Sequence, residues 1–239
     1  VETSSNANNR TTFTVGFDAE YPPYGYMDEN GEYTGFDLEL AEAVCKLEGW
    51  ELVKKPINWD AKDMELNSGA IDCIWNGFTM NGREDEYTFS TPYVDNSQVI
   101  VVAENSGINT PEDLAGKTVG VQAASAALEL LQSDEKDGQK ALADTFGALN
   151  EFADYNTAFT ELQAGALDAL AIDIGVANYQ IKSRGEGYKI LEETLNTEQY
   201  AIAFKKGDQE LRDVVNADLK KLTEDGTVAK LAEKYEISD

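Results

Sequence analysis

Two oppositely charged residues, Arg83 and Asp173, occupy positions from which they could bind a charged ligand. Arg83 follows the segment 77–79, and its planar guanidinium suits bidentate binding of a carboxylate. Asp173 follows the apolar run 167–172, where an unpaired carboxylate would be costly to bury. Each residue also has a structural alternative, a surface ion pair for Arg83 and a helix N-cap for Asp173. In their binding roles the pair would suit a zwitterion, since Arg83 would hold its carboxylate and Asp173 its ammonium.

The composition argues against several classes of function. The 239 residues include 19 basic and 45 acidic side chains, a formal net charge of −26 that disfavours nucleic acid as a partner. Because the chain has no histidine, it lacks the commonest general base and metal ligand. Its two cysteines cannot build a disulfide framework or a thiolate zinc site. We therefore expect a protein that is not an enzyme and has no catalytic residues, metal or cofactor.

The first ten residues are polar and lack apolar periodicity. One interpretation of 1–10 is a disordered tether left after removal of a signal peptide, joining the domain to a membrane anchor. The alternative is simply the end of a disordered tail. No apolar run in the chain approaches the ~18–20 residues that a membrane-spanning helix needs.

Apolar periodicity predicts strands and helices in alternation, which is typical of α/β proteins with mostly parallel sheets and helices on both faces. The predicted strands cover 11–18, 51–55, 71–75, 97–103, 117–122, 167–172 and 188–191. The predicted helices cover 36–47, 60–67, 125–132, 156–163, 175–183 and two stripes near the end, 211–222 and 228–235. A further helix start is indicated at Thr110-Pro111-Glu112-Asp113, which combines an N-cap, a proline and an acid three residues after the cap.

One stretch of sequence occurs twice in similar form. Residues 66–74 (LNSGAIDCI) match 162–170 (LQAGALDAL), and each stretch predicts a helix that ends at a left-handed glycine before a buried strand. Chance similarity is one explanation, since helix–glycine–strand is common in α/β proteins. The other is a pair of lobes with related local architecture, each binding ligands at the carboxyl ends of its strands.

Four ordered motifs together identify a family resemblance. The chain is similar to the polar amino-acid solute-binding proteins of bacterial ABC importers, family 3 type. The motifs are GFDAEYPPYGYMDENGEYTGFDLELAEAV (16–44), GFTMNGREDEYTFSTPY (77–93), EDLAGKTVGVQAAS (112–125) and LTEDGTVAKLAEKY (222–235). The resemblance implies two Rossmann-like lobes joined by two hinge strands, the type II periplasmic binding protein-like fold, with the ligand trapped between the lobes. Lobe 1 would comprise 11–95 plus 199–239, and lobe 2 would comprise 96–198.

The resemblance also implies a function. It predicts an extracytoplasmic binding protein, periplasmic or anchored at the cell surface as a lipoprotein, that closes on a free amino acid and delivers it to an ABC transporter permease. We expect a monomer whose partners are a small-molecule ligand and that permease. A ligand-sensing module and a dehydratase on the same scaffold are the alternatives.

The ligand-binding residues are carried over from the family one by one. They are Asp18, Tyr21, Trp59, Gly77, Thr79, Arg83, Ser125 and Asp173. The ring of Tyr21 and the ring of Trp59 would form the walls of the side-chain pocket. An acid at Asp18 suits a polar or cationic side chain, with glutamine and arginine expected ahead of lysine and histidine. The alternative for Asp18 is a capping role in its loop.

The sequence departs from the family pattern at two places. The spacing from Thr79 to Arg83 is one residue shorter than usual, a difference that the flexible Gly82 could absorb. Ala124 and Ala126 stand where the family usually has glycine and a hydroxyl residue, so a hydroxyl contact at 126 is lost. Cys45 and Cys73 are interpreted as core thiols, with a single bridge between them left open.

Overall fold

The structure is a computed structural model that describes residues 10–237, so the predicted tether 1–10 lies, apart from Arg10, outside the described residues. In chain order the strands are β1 (Thr12–Phe17), β2 (Glu20–Tyr21), β3 (Gly25–Met27), β4 (Tyr33–Thr34), β5 (Glu51–Pro56), β6 (Cys73–Ile74), β7 (Thr88–Phe89), β8 (Val94–Asn96), β9 (Gln98–Ala103), β10 (Thr118–Gln122), β11 (Ala148–Phe152), β12 (Ala169–Asp173), β13 (Tyr188–Ile190), β14 (Glu198–Tyr200) and β15 (Ala203–Phe204). The helices are α1 (Phe36–Glu48), α2 (Lys62–Ser68), α3 (Ala126–Gln132), α4 (Lys140–Ala143), α5 (Tyr155–Gln163), α6 (Ile174–Arg184), α7 (Gln209–Glu224) and α8 (Thr227–Lys234). Short 3-10 turns cover Trp59–Ala61 and Pro111–Leu114.

The predicted helices with clear start and stop signals are confirmed. For example, α1 ends at Gly49, whose φ of +74° places it in the left-handed region and whose N–H donates to the Cys45 carbonyl. The helix start predicted at Thr110 leads only to the 3-10 turn Pro111–Leu114, because the chain turns at Gly116 and enters β10 two residues later. Strand β11 was not predicted, since its residues are half-buried or exposed at the edge of a sheet and show no apolar alternation.

The described chain divides into two compact units. The first comprises 10–19, 23–95 and 199–237, and the second comprises 20–22 and 96–198. The first contains a five-stranded sheet of order β5-β1-β6-β15-β7, and the second a five-stranded sheet of order β11-β10-β12-β9-β13. In each sheet the first three strands are parallel and the fourth is antiparallel to its neighbours, so the sheets are mixed.

The repeated stretch in the sequence has the same structure in both units. Gly69 and Gly165 follow helices α2 and α5 with φ values of +84° and +83°. Asp72 Oδ2 accepts a hydrogen bond at 2.7 Å from a backbone N–H of β1, and Asp168 Oδ2 accepts one at 2.9 Å from a backbone N–H of β10. The similarity in sequence therefore reflects a shared helix–glycine–strand unit that ties its aspartate to the neighbouring strand.

The two cysteines are buried and carry free thiols. Burial raises the pKa of Cys45 to about 12 and that of Cys73 well above its ordinary value. Both thiols are therefore protonated near neutral pH and pack as small apolar side chains.

Ala124 is a strained residue in the second unit, because its φ of +57° lies in the left-handed region. We expect Ala124→Gly to raise the free energy of unfolding by about 0.5–1 kcal/mol, the relief of strain less the added entropy of the unfolded chain. Thermal unfolding would show a rise of about 1–4 °C. Ala123→Gly is the matched control: φ at Ala123 lies outside the left-handed region, so this variant should lose stability. Equal changes in both variants would show that strain at Ala124 is negligible.

Candidate functional site

Three predicted residues of the first unit follow neighbouring parallel strands. Asp18 comes directly after β1, Trp59 lies three residues after β5, and Gly77 lies three residues after β6. Strand β1 pairs in parallel with both β5 and β6, and the carboxyl ends of parallel strands meet at one edge of a sheet. The first unit therefore gathers Asp18, Trp59 and the segment that starts at Gly77 at the edge where open α/β sheets bind ligands.

The segment from Gly77 to Arg83 folds into a tight turn. Arg83 is 4% exposed, its N–H donates to the Met80 carbonyl at 3.0 Å, and its Nη1 donates to the Thr79 carbonyl at 2.9 Å. Gly82 has a φ of +85°, in the left-handed region that favours glycine. The Thr79 hydroxyl is buried and makes no hydrogen bond within residues 10–237. A buried guanidinium and a buried hydroxyl thus lie on the same turn.

Phe78 connects two of the predicted residues and was missed in the sequence. Its buried ring packs edge-to-face on Trp59, with 5.6 Å between ring centroids. The guanidinium carbon of Arg83 lies 4.6 Å from the centroid of the same Phe78 ring. In the sequence, its position between the predicted binding residues Gly77 and Thr79 could have identified Phe78 as part of the site. Phe78 therefore places the guanidinium and the indole against one rigid aromatic surface.

Asp37 stabilises the Gly77 turn by a hydrogen bond, and it was not predicted from the sequence. It is fully buried in the first turn of α1, where its Oδ2 accepts from the Gly77 N–H at 2.5 Å and its Oδ1 accepts from the Tyr93 hydroxyl at 2.6 Å. Burial raises the pKa of Asp37 to about 7, partly offset by these hydrogen bonds. An acid in a first helical turn is normally interpreted as a dipole partner, which is why the sequence concealed this role.

Lys62 is a second buried cation in the first unit. It begins α2, and its Nζ lies 5.2 Å from the centroid of the Trp59 ring. A lysine at the start of a short helix is ordinarily a solvated surface residue, so sequence reasoning had no basis for selecting it. Its burial places a positive charge beside one predicted wall of the side-chain pocket.

Asp173 and Ser125 of the second unit lie at or just after the carboxyl ends of two parallel strands. Asp173 is the last residue of β12 and Ser125 follows β10, and these two strands pair in parallel. Asp173 is fully buried, and its Oδ1 accepts from the Val176 N–H at 3.1 Å, so the N-cap interpretation is confirmed. The Ser125 hydroxyl accepts from the Leu128 N–H at 3.1 Å and caps α3.

Tyr155 contacts both Tyr21, the last of the predicted binding residues, and Ser125. Its buried hydroxyl donates to the Ala171 carbonyl at 2.9 Å and interacts with the Ser125 side chain. The ring of Tyr21, which groups with the second unit, lies 6.2 Å from the Tyr155 ring between centroids. The sequence showed Tyr155 only as a position next to the start of a predicted helix, so its contribution was missed.

Glu198 is a second buried carboxylate near Asp173. Asn96 Nδ2 donates to Asp173 Oδ2 at 2.5 Å and to Glu198 Oε1 at 2.9 Å. Burial is the main cause that raises the pKa of Asp173 well above its ordinary value, and the charge of Glu198 adds to it. The three residues are separated by up to 102 positions, and nothing in the sequence connects them.

The described residues offer no metal centre and no membrane-spanning element. No group of three or more acidic or cysteine side chains within 10–237 is arranged to hold a metal ion. Within the same range, none of the helices combines the length and apolarity that crossing a bilayer requires.

The two α/β units have corresponding strand orders, and each has buried polar residues near the ends of its parallel strands. This architecture is the type II periplasmic binding protein-like fold. Residues 13–238 match the model of the bacterial extracellular solute-binding proteins, family 3, and the chain belongs to that family. The L-cystine-binding protein TcyJ of Escherichia coli K12 is 30% identical over 234 residues, which cover 97% of this chain and 85% of that protein.

Solved structures agree with this assignment. A substrate-binding protein of an ABC uptake transporter from Streptococcus pneumoniae, with bound histidine, has a TM-score of 0.87 at 33% identity, covering 94% of this chain and 92% of that one. An ancestral arginine-binding protein bound to glutamine has a TM-score of 0.85 at 38% identity, covering 95% of this chain and 98% of that one. The predicted family and fold are thereby confirmed.

Proposed function

We propose that this protein binds a free polar or cationic L-α-amino acid outside the cytoplasm and delivers it to the permease of an ABC importer. The observation that carries the proposal is a buried arginine, Arg83, after the parallel strands of one unit and a buried aspartate, Asp173, at the end of a parallel strand of the other. Arg83 binds the α-carboxylate of the ligand, supported by the Gly77 turn and the Thr79 hydroxyl. Asp173 binds the α-ammonium, and Ser125 with the first amides of α3 adds donors for the carboxylate.

The ligand side chain is proposed to contact Asp18, Tyr21 and Trp59. The relative named for L-cystine and the two structures with histidine and glutamine support a polar ligand. Lys62 beside Trp59 adds a positive charge to the negative charge of Asp18. A carboxamide side chain suits both groups, because its NH₂ donates hydrogen bonds and its oxygen accepts them. We therefore place glutamine first, followed by arginine and then by lysine and histidine.

The proposed setting is the periplasm or the outer face of the cell membrane, with a monomer as the working form. This goes further than the family assignment, which supports an extracellular protein. Binding without catalysis is supported by the cystine-binding relative and by the two solved structures, which are all binding proteins. A dehydratase would be revealed by decarboxylated product after incubation with prephenate or arogenate.

A thermal-shift panel of the twenty amino acids, with L-cystine added, tests the proposed ligand class. A ligand at a hundredfold excess over its Kd stabilises the folded state by about 2.7 kcal/mol, which raises Tm by about 5–10 °C for a chain of this size. We expect such a rise with glutamine or arginine.

N-acetyl and α-amide derivatives of the same amino acid are the controls for this panel. They block the ammonium and the carboxylate in turn and should leave Tm unchanged. A rise with glutamate or leucine alone would contradict the ligand class, and no rise with any amino acid would contradict the function.

A further inference from the structure

The second unit contains a pair of buried carboxylates joined through one amide. Asp173 is 0% exposed and Glu198 is 1% exposed. The Nδ2 group of Asn96 donates to both, at 2.5 Å to Asp173 and 2.9 Å to Glu198. Two like charges this close in a desolvated site cannot both ionise without a large electrostatic penalty, so one of them retains a proton.

Glu198 lies within a cluster of amide donors, and its negative charge acts on Asp173. Glu198 accepts from three side-chain amides: Asn96, Gln98 Nε2 at 2.5 Å and Asn196 Nδ2 at 3.2 Å. Donors directed at a carboxylate stabilise a negative charge there. Burial and the neighbouring charge of Glu198 raise the pKa of Asp173, which favours its protonated form.

The groups that face Asp173 come from several elements. Glu198 acts from β14, and the phenol of Tyr155, which is neutral near pH 7, acts from α5. The amide of Asn96 faces it from the end of β8, and the N–H groups of Gly175 and Val176 face it from α6. An incoming ammonium group would supply the positive charge that allows Asp173 to ionise.

We propose that Glu198 is a positioning residue of the ammonium site, which keeps a proton on Asp173 until the ammonium group of the ligand displaces it. This inference rests on the proposed function. In the step, the O–H bond of the Asp173 carboxyl breaks, its proton passes to solvent, and the carboxylate accepts a hydrogen bond from the intact ammonium. One proton is thus released for each amino acid bound.

Proton release fixes the sign of the pH dependence. Below the pKa of free Asp173, and below that of the ligand ammonium, raising the pH favours the bound state. The affinity therefore rises by up to about tenfold for each pH unit, the linkage expected for one proton.

Calorimetric titration with the amino acid that gives the largest thermal shift tests the inference. Wild-type protein, titrated at a series of pH values in buffer pairs of different ionisation heat, should show enthalpies that differ by the heat of transferring up to one proton to the buffer. Glu198→Gln removes the neighbouring charge, so proton release and the rise in affinity should both move to lower pH. Glu193→Gln changes an exposed glutamate five residues earlier and should behave as wild type.

Tight binding by the wild type without proton release would overturn the inference and leave the proposed function in place. Proton release that Glu198→Gln leaves unchanged would overturn the role of Glu198. Failure of every amino acid to bind would instead overturn the proposed function. If Glu198→Gln does not fold, infrared difference spectra of wild-type protein labelled with 13C-aspartate decide the question. If the C=O band of a protonated aspartate disappears on ligand binding, the inference is supported. If no such band disappears, the inference is refuted.

Discussion

The Arg83→Ala variant is expected to lose amino-acid binding while its fold persists. Arg83 is 4% exposed and is proposed to hold the ligand carboxylate, so its removal leaves that carboxylate buried without a cationic partner. Truncation of one member of a buried charge pair costs about 2–5 kcal/mol, which corresponds to a loss of affinity of at least about thirtyfold. Isothermal titration calorimetry with the ligand found in the thermal-shift panel measures the loss.

Two variants separate the loss of charge from the loss of packing at Arg83. Arg83→Lys retains the positive charge but lacks the planar fork, and it should recover only part of the affinity. Arg184→Ala removes an arginine from the second unit whose guanidinium carbon also lies over a phenylalanine, 5.3 Å from the ring centroid of Phe159. This control should reduce stability with little effect on Kd. Near-native affinity in Arg83→Ala would exclude Arg83 as the carboxylate ligand.

The Asp173→Asn variant is expected to weaken all α-amino acids by similar factors. Asparagine is as good an N-cap as aspartate, so the cap of α6 is retained while the negative charge is removed. Loss of the charge that holds the ammonium should lower affinity at least about thirtyfold for every ligand. The ratio of the Kd values for any two side chains should stay constant within about threefold, because the ammonium is common to them.

Asp154→Asn is the matched control for this variant. Asp154 caps α5 in the same unit, where its Oδ1 accepts from the Thr157 N–H at 2.7 Å. The substitution should leave Kd unchanged. Selective loss of one class of side chain in Asp173→Asn would instead assign Asp173 to the specificity pocket. Because asparagine mimics a protonated aspartate, this variant should also lose the pH dependence of binding.

Local signals in the sequence were sufficient for most of the fold. Gly49, Gly69 and Gly165 each follow an apolar helical stripe, and all three adopt the left-handed cap that those stripes predict. Strands without such signals were missed. The two-residue strands β7 and β15 have no room for a periodic pattern, and β11 lies at a sheet edge where burial imposes little alternation.

The sequence predicted those site residues whose side-chain chemistry by itself suggests a binding role. The planar guanidinium of Arg83 and the carboxylate of Asp173 after an apolar run indicated charge binding, and both residues proved to be buried. Their role in holding a ligand stays a prediction. The supporting residues were missed because their roles come from neighbours in space. Phe78 gains its role from contact with Trp59 and Arg83, and Asp37 gains its role from Gly77, which is 40 residues away.

The sequence by itself determined the order of elements, the helices that end at glycine, and the family. It also supplied a cation, Arg83, and an anion, Asp173, near the ends of strands of different sheets. Only the tertiary structure decided the electrostatic state of those groups. Asn96, Asp173 and Glu198 meet across separations of 77 and 102 residues, and burial together with the charge of Glu198 raises the pKa of Asp173. The physical reason is that apolar periodicity and caps act over a few neighbouring residues. A pKa depends instead on the solvent and charges within a few ångströms, which only the folded chain brings together.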